Sequence, residues 1–550
     1  MKSTGFPAVY TRPEAGTSRW YFFFLAFFLL LLGAVLRVNA LDDSPRGDAA
    51  VAERYAQWAK EAIERGQWGE ALAGLERASD FANVSSDISY LLALARSHEN
   101  KGRGLVLEAL ERSLVVNCWN LYRPEAARLL KAENLIDLRA YSQALGELSL
   151  VGKGPDEAVL TLKALAALQG DVFHRYMTET LDRYPRESGP VRFFLSYLKN
   201  EVMAGRNLEK DDQELLELVI RRLPVLLLKD QELAWMAAPF MRDRDEAKRL
   251  VSAYRAVNKP VPASLPIALK LGIIDGETAL EELFAARGAL DMALLAETWE
   301  LLDQDETKAV FRRNLSVYSG VITEDADRDG IPESSAEYSG GLLGFYTYDA
   351  DQDGVPDLTG YFEAGDPLGA QVLIPPDGAR GAGLPAEAGR AAVQWERYPA
   401  VLEVKLDGVR YIPRPLDFYF SPFTFVELWG SGVLFPRRDL LSPPLTRRVL
   451  VSQSLRVERP SLEFKGGIEV VELNQGIPVR AREYVGDLMV SETEFLRGRP
   501  QIQRVDLDFD GRMETVRHFR HSYRPVELER LWDYDRDIDY TVTVGMDDEL

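Results

Sequence analysis

The sequence predicts a multidomain α plus β protein, in which an N-terminal all-α helical solenoid is followed by a mostly antiparallel β domain. From residue 49 to 315, apolar residues recur at helical spacing between short turns. From residue 316 to 550, short β-rich runs alternate with Gly, Asp-Gly and Pro. Because 550 residues exceed the usual size of one hydrophobic core, separate domains are expected.

The first forty residues have the pattern of a targeting segment. Basic residues precede an unbroken apolar run of about 17 residues, from Trp20 to Leu36, and Val38-Asn39-Ala40 then offers a small-residue cleavage site. The run is long for a signal peptide and short for a membrane span. Residues 1–40 are therefore interpreted as a signal peptide or an N-terminal membrane anchor. Both interpretations predict an exported protein of the periplasm or cell envelope, with residues 20–36 as its one membrane contact.

The charge balance argues against one class of partner. The chain carries 65 Lys and Arg against 86 Asp and Glu, a net charge of −21. Nucleic-acid binding depends on cations that neutralise phosphates, so we expect no nucleic-acid partner. The single cysteine, Cys118, has no partner for a disulfide within the chain, and its neighbours Val116 and Trp119 offer no base that would activate the thiol. We interpret Cys118 as a small buried apolar residue.

The helical half begins with two amphipathic segments separated by Gly66. One apolar face is formed by Tyr55, Trp58, Ala59, Ala62 and Ile63, and the next by Trp68, Ala71, Leu72, Leu75 and Ala78. Helix, glycine turn and helix together occupy about 34 residues, the length of a structural repeat.

Residues 52–85 resemble a tetratricopeptide repeat (TPR). The resemblance rests on Trp58-Ala59 in the first helix and on Gly66-x-Trp68-x-x-Ala71-Leu72-x-x-Leu75-x-x-Ala78 in the second. Residues 140–148 repeat part of the second-helix pattern. The resemblance implies a TPR-like solenoid whose concave surface binds a protein or peptide partner. A helix bundle without a binding surface is the alternative.

Turn signals organise the second half. Asp407-Gly408 between two β-rich runs predicts a two-residue hairpin turn. From residue 462 onward, glycine turns recur every roughly 9 to 13 residues, which predicts an antiparallel meander of hairpin repeats. This tract faintly resembles MORN-like sheets. Residues 365–390 and 436–448 are predicted to be loops.

An aromatic cluster surrounds Pro422. Its members are Phe418, Phe420, Phe423, Phe425 and Trp429. Packing in the core is the favoured interpretation, and a platform that binds sugar or peptide is the alternative. A platform would suit a cell-envelope glycan-binding protein or hydrolase with its site in the β domain. The sequence shows no nucleophile elbow, phosphate-binding glycine loop or zinc-protease motif, but a carboxylate pair for glycoside chemistry stays open among the acidic residues.

Three segments of the second half share the spacing D-x-D-x-D-G-x-x-[DE]. They begin at Asp325, Asp349 and Asp506. Carboxylates this close repel one another unless a cation lies among them, and calcium is the cation that prefers such oxygen ligands. An EF-hand places a bidentate Glu at position 12, whereas position 12 of these loops is occupied by Ala336, Gly360 and Arg517. The EF-hand interpretation is therefore excluded.

The pattern is similar to the β-hairpin calcium loops of integrin-type propeller blades. This resemblance implies calcium as the cofactor, side-chain ligands at positions 1, 3, 5 and 9, and a backbone carbonyl at position 7. The implied side-chain ligands are Asp325, Asp327, Asp329 and Glu333; Asp349, Asp351, Asp353 and Asp357; and Asp506, Asp508, Asp510 and Glu514. The implied carbonyls belong to Ile331, Val355 and Arg512. Hairpin turns with solvated carboxylates are the alternative.

These patterns together predict an exported, non-catalytic scaffold. Its TPR-like helical domain is expected to bind a protein partner, and calcium is expected to stabilise its β domain.

Overall fold

In a computed structural model of the chain, the residues described are 45–81, 85–99, 101–168, 170–286, 288–374, 389–519, 527–531 and 538–543. The predicted targeting segment, residues 1–40, lies outside them. Among the described residues, no helix combines the length and the apolar character that crossing a membrane requires.

Helices occupy the first half of the described chain, as the sequence predicts. They are α1 (Pro45–Glu64), α2 (Trp68–Phe81), α3 (Ser86–His98), α4 (Arg103–Val116), α5 (Pro124–Asp137), α6 (Tyr141–Leu148), α7 (Pro155–Leu168), α8 (Gly170–Arg183), α9 (Gly189–Met203), α10 (Lys210–Leu226), α11 (Leu233–Ala237), α12 (Arg244–Val257), α13 (Leu265–Lys270), α14 (Gly276–Ala285), α15 (Met292–Leu301) and α16 (Asp305–Ser316). Short 3₁₀ turns at Ala238–Phe240 and Pro262–Ser264 separate some of them.

Helices α1 and α2 form the helix pair predicted for residues 52–85. Gly66 makes the turn between them with φ +73°, a conformation that glycine adopts without steric cost. Ala59 and Ala71 are fully buried. A Cβ atom built on Gly74 would lie 2.5 Å from ring carbons of Trp58. Small residues on one helix therefore make room for the indole ring of the other.

A buried carboxylate joins the start of α3 to the segment that precedes α5. Asp87 is 3% exposed, and its two carboxylate oxygens accept hydrogen bonds from the backbone N–H groups of Asn120, Leu121 and Tyr122 at 2.7–3.1 Å. These bonds satisfy backbone donors that no helix uses.

The prediction that Cys118 is buried is wrong, because its side chain is exposed. Helix α4 ends at Val116, and Asn117 adopts the left-handed conformation that follows many helix ends. Cys118 is then held by its backbone, whose N–H donates to Ser86 Oγ at 2.8 Å and whose carbonyl accepts from the Ser86 N–H.

The chain divides into two compact units. The first unit contains the residues up to Asn134 together with Gln143–Gly152, and the second contains Leu135–Ser142 and everything from Lys153 onward. Helices α7 to α16 thus belong to the same unit as the strands. In this unit α8 and α10 are joined by a buried hydrogen bond of 2.8 Å between His174 Nε2 and Asp212 Oδ1.

Strands occupy the second half, in agreement with the predicted β domain. They are β1 (Leu290–Asp291), β2 (Gly320–Glu324), β3 (Ser334–Ser339), β4 (Leu342–Tyr348), β5 (Leu358–Glu363), β6 (Asp366–Ile374), β7 (Gly389–Arg397), β8 (Ala400–Leu406), β9 (Val409–Pro413), β10 (Phe423–Glu427), β11 (Leu434–Arg438), β12 (Ser454–Pro460), β13 (Ile468–Asn474), β14 (Ile477–Val485), β15 (Leu488–Leu496), β16 (Arg499–Val505), β17 (Thr515–His518), β18 (Glu527–Leu531) and β19 (Ile538–Thr543). A short helix, α17 (Arg447–Gln453), precedes β12.

Seventeen of the described strands form one sheet. From β2 to β9 each strand pairs antiparallel with the next, β9 pairs with β12, and the meander continues to β19. The parallel pair is β1 with β2, and β10 and β11 form a separate hairpin. Asp407 and Gly408 both have positive φ, 52° and 77°, as a two-residue primed hairpin turn requires.

The two predicted loops are shorter than expected. Residues 366–374 and 389–397 are strands β6 and β7, while residues 375–388 lie outside the description. In the second half of β6 alternate residues are buried, at Ala370, Val372 and Ile374, so burial against the core outweighs the weak local preference of this segment. Residues 436–438 belong to β11, and α17 begins at Arg447.

A buried carboxylate lies on one face of the meander. Glu483, in β14, is 8% exposed, and Ser461 Oγ donates to its Oε1 at 2.6 Å. The segment after β12 covers this face, because Phe464 packs against Val490 and Val505. Loss of water contact raises the pKa of Glu483 above its ordinary value, although hydrogen bonds from Ser461 and Ser491 oppose the rise.

Replacing Glu483 with Gln should raise thermal stability at neutral pH. Between the ordinary carboxyl pKa of about 4.3 and the raised folded value, the folded state binds more protons than the unfolded state, so wild-type stability falls as pH rises. Glu483→Gln cannot lose a proton, so this loss of stability with rising pH should be absent from the variant. The measurement is melting temperature against pH, read as the difference between variant and wild type.

The matched control is Glu494→Gln, because a hydrogen bond from Arg504 lowers the pKa of Glu494. Glu494→Gln should therefore not raise the melting temperature at neutral pH. Identical pH profiles for Glu483→Gln and wild type would contradict the prediction.

Candidate metal centres

The three aspartate loops are hairpin tips. They connect β2 to β3, β4 to β5 and β16 to β17. The last strand pairs before the tips are Glu324 with Ser334, Tyr348 with Leu358, and Val505 with Thr515. Strands flank each loop, as the resemblance to β-hairpin loops implies, and the residues at position 12 lie within strands.

Each loop is folded by the same set of carboxylate-to-backbone hydrogen bonds. The position-1 carboxylate accepts from the glycine N–H at position 6, at 2.8 Å in all three loops, from Gly330 to Asp325, Gly354 to Asp349 and Gly511 to Asp506. The position-5 carboxylate accepts from the N–H at position 7, at 2.7–2.9 Å. The position-9 carboxylate accepts from the N–H at position 2, at 2.8–3.2 Å.

Backbone conformation is also repeated among the loops. Position 4 has positive φ in each, at Arg328 (64°), Gln352 (56°) and Phe509 (64°). The glycine at position 6 has φ between 82° and 98°. Glycine adopts this conformation without the steric cost that a Cβ brings, which explains its place in the motif.

Carboxylate oxygens converge inside each loop. One oxygen from each of positions 1, 3 and 5 lies within 4.8 Å of the others in the first two loops, and Glu514 at position 9 joins the group in the third. Among the described residues, Asp325 Oδ1, Asp349 Oδ1 and Glu514 Oε1 are buried without a hydrogen-bond partner. Calcium–oxygen distances of about 2.3–2.6 Å suit ligands this far apart, so each loop has room for one such cation.

The electrostatics of the second loop reflect crowded negative charge. Loss of water contact, together with the neighbouring carboxylates of Asp353, Asp351 and Asp357, raises the pKa of Asp349 to about 7, although the hydrogen bond from Gly354 opposes the rise. In the first loop, loss of water contact raises the pKa of Asp325 to about 6. A carboxylate group with a raised pKa favours a compensating positive charge, from a proton or from another cation.

The first loop differs from the other two in its surroundings. Arg139, in the turn between α5 and α6, contacts the carboxylates of Asp327, Asp329 and Glu333. Gln352, from the second loop, also reaches into it. Sequence reasoning missed both residues, because Arg139 lies 188 positions from Asp327 and no local pattern marks it.

The aromatic cluster around Pro422 packs in the core, as the favoured interpretation predicts. Phe418, Phe420 and Phe423 are 9%, 4% and 3% exposed. The ring of Phe423 lies 5.5–5.8 Å, centroid to centroid, from those of Phe362 and Tyr346. A binding platform formed by Phe418, Phe420 and Phe423 is therefore wrong, because these side chains are buried, and Phe425 and Trp429 are partly buried against the same core.

Comparison with known proteins gives limited resemblance. The chain is 22% identical over 593 aligned residues to an uncharacterized protein of Treponema pallidum (strain Nichols), covering 87% of this chain and 73% of that protein. A search against protein-family models found no match.

Two solved structures resemble part of the chain. One is a tetratricopeptide repeat protein from Parabacteroides merdae, 11% identical, with a TM-score of 0.32, covering 48% of this chain and 99% of that one. Another is pilF of Pseudomonas aeruginosa, 14% identical, with a TM-score of 0.26, covering 48% of this chain and 98% of that one.

Replacing Phe423 with Ala should destabilise the β domain by about 3–5 kcal/mol, because it leaves a cavity among packed rings. Tyr419→Ala is the control, since Tyr419 is 59% exposed and lies in the same segment. Denaturant unfolding of both variants measures the difference. Equal stability of the two variants would contradict core packing of Phe423.

Proposed function

We propose that this protein is an exported, non-catalytic scaffold that binds a protein partner through its helical region. Its β domain is stabilised by calcium at the three hairpin tips. The observation that carries the calcium part is the repeated construction of the tips, with the same hydrogen bonds and converging carboxylates in each.

The first compact unit supports a protein-binding role. Its helix pair α1 and α2 carries the TPR-like pattern, and alanines and Gly74 set the close approach of these helices. Arrays of such pairs present extended surfaces that suit peptides and proteins. Apolar side chains stay exposed in this unit, with Val115 at 83% and Leu121 at 61%.

Export rests on residues 1–40, which lie outside the described part of the chain. Their apolar run with a basic flank is the pattern of a signal peptide or membrane anchor. An exported location would also supply calcium at the millimolar concentrations at which extracellular calcium modules bind, about 10⁻⁴–10⁻³ M.

The expected stabilisation at each tip is modest. At about 1 mM calcium and a dissociation constant of about 0.1 mM, mass action adds about 1.4 kcal/mol per site to the free energy of unfolding. Calcium then acts as a structural ion that holds hairpin tips closed.

Removal of residues 49–134, which form most of the first unit, should abolish capture of the partner from an envelope extract. The full-length protein with Asp351→Ala and Asp353→Ala should retain capture, because its helices are intact. Partners are measured by affinity pull-down with mass spectrometry. A partner retained by the shortened chain would contradict binding through this unit.

Calcium should raise the melting temperature of the full-length protein by several degrees relative to excess chelator. Asp351→Ala with Asp353→Ala should reduce this difference, because two ligand carboxylates of the second loop are lost. Asp487→Ala is the matched control, since Asp487 is an exposed aspartate in a hairpin turn outside the three loops. No shift with calcium, together with no heat of binding, would leave the loops as acidic turns.

A further inference from the structure

We propose that the first aspartate loop is occupied by the protein's own donors, the guanidinium of Arg139 and the amide of Gln352, so that calcium binds the second and third loops in preference to it. This inference rests on the proposed role of calcium and adds to it a division among the three loops. The first tip is then stabilised by ion pairs with Arg139, and the other two tips are the metal centres.

Arg139 supplies the positive charge. One of its terminal nitrogens, Nη2, donates to Asp327 Oδ2 and lies 3.5 Å from Asp329 Oδ2 and 3.8 Å from Glu333 Oε1. A single guanidinium nitrogen thus faces three of the four acidic residues of the loop. Arg139 has positive φ, 58°, and its N–H donates to the Ile136 carbonyl at 2.9 Å, so the turn presents its side chain from a fixed backbone.

Gln352 supplies a second nitrogen. It is 2% exposed, and its Nε2 lies 3.2 Å from Asp329 Oδ1, 3.0 Å from the Ile331 carbonyl oxygen and 3.3 Å from Glu333 Oε1. These atoms belong to positions 5, 7 and 9 of the loop. A calcium ion that used them would have to displace this amide, which carries no charge, and the guanidinium, whose positive charge makes Arg139 the stronger competitor.

The second and third loops have different surroundings. At the first loop, Arg139 lies within ion-pair distance of three carboxylates. At the second loop, loss of water contact raises the pKa of Asp353 and of Asp357 more than the charges of Arg390 and Arg438, respectively, lower it. At position 4, where the second loop carries Gln352, the third carries Phe509, whose ring packs against Phe464 and donates no hydrogen bond to a neighbouring loop. The third loop also brings four carboxylates together, the fullest ligand set of the three.

Hydrogen bonds to backbone atoms at each end of the first loop hold it beside Arg139. Asn200 Nδ2, in α9, donates to the carbonyl oxygen of Arg328 at 2.7 Å. The neighbouring hairpin contributes a hydrogen bond of 2.9 Å from the Asp349 N–H to the Glu333 carbonyl. Both hydrogen bonds, and the ion pairs of Arg139 with the loop, lie within the second compact unit.

The experiment is calorimetric titration of the full-length protein with calcium alone, after removal of metal by chelator. Wild type should bind two ions. Arg139→Met should bind three, because Met keeps an unbranched side chain of comparable length and removes the charge. Adding Asp327→Ala to Arg139→Met should return the number to two, which assigns the third ion to the first loop. Arg242→Met is the matched control and should bind two, because Arg242 pairs with Glu217 on an exposed helical surface.

Three ions bound by wild type, or an unchanged number in Arg139→Met, would overturn the inference. If no version binds calcium, the proposed role of calcium fails, and melting in chelator decides the role of Arg139 separately. Arg139→Met should then melt at least about 2 °C below Arg242→Met, since three carboxylates lose their shared cation. Equal melting temperatures of these two variants would overturn the internal ion pair.

Discussion

The hydrogen bond from a glycine N–H to the first aspartate of each loop is the interaction on which the hairpin tips depend. It closes the turn between antiparallel strands and, with the bonds at positions 5 and 9, aims the carboxylates inward. The same bonds bring several carboxylates close together, so their negative charges repel one another within each tip. At the first tip, Arg139 lies among these carboxylates and compensates part of their charge.

The helical region follows a different physical rule. Its helices approach closely because alanine and glycine occupy the contact positions, and tryptophan fills the space that Gly74 leaves. Several of its buried polar side chains are paired, as with Asp87 and with His174 and Asp212. Shape complementarity therefore organises the helices, whereas hydrogen-bonded charge organises the hairpin tips.

Particular residues show where sequence reasoning succeeded. Three features could be predicted because each depends on contacts within a few residues along the chain. They are the helix pair at 52–85, the Asp407-Gly408 turn and the hairpin position of the aspartate loops. Strand β6 and the exposure of Cys118 could not be predicted from the sequence. Burial of β6 is decided by the core against which it packs, and Cys118 lies just past a helix end whose position local periodicity fixes poorly.

The sequence by itself determined the order of helices before strands and the acidic, hairpin character of three aspartate loops, because periodicity and short motifs encode local geometry. Tertiary structure alone decided that the loops are unequal. Arg139 meets the first loop across 188 positions of chain, and Gln352 reaches it from a neighbouring hairpin, so neither contact leaves a trace in local spacing. Charge compensation acts through space, and only the folded chain shows which charges meet.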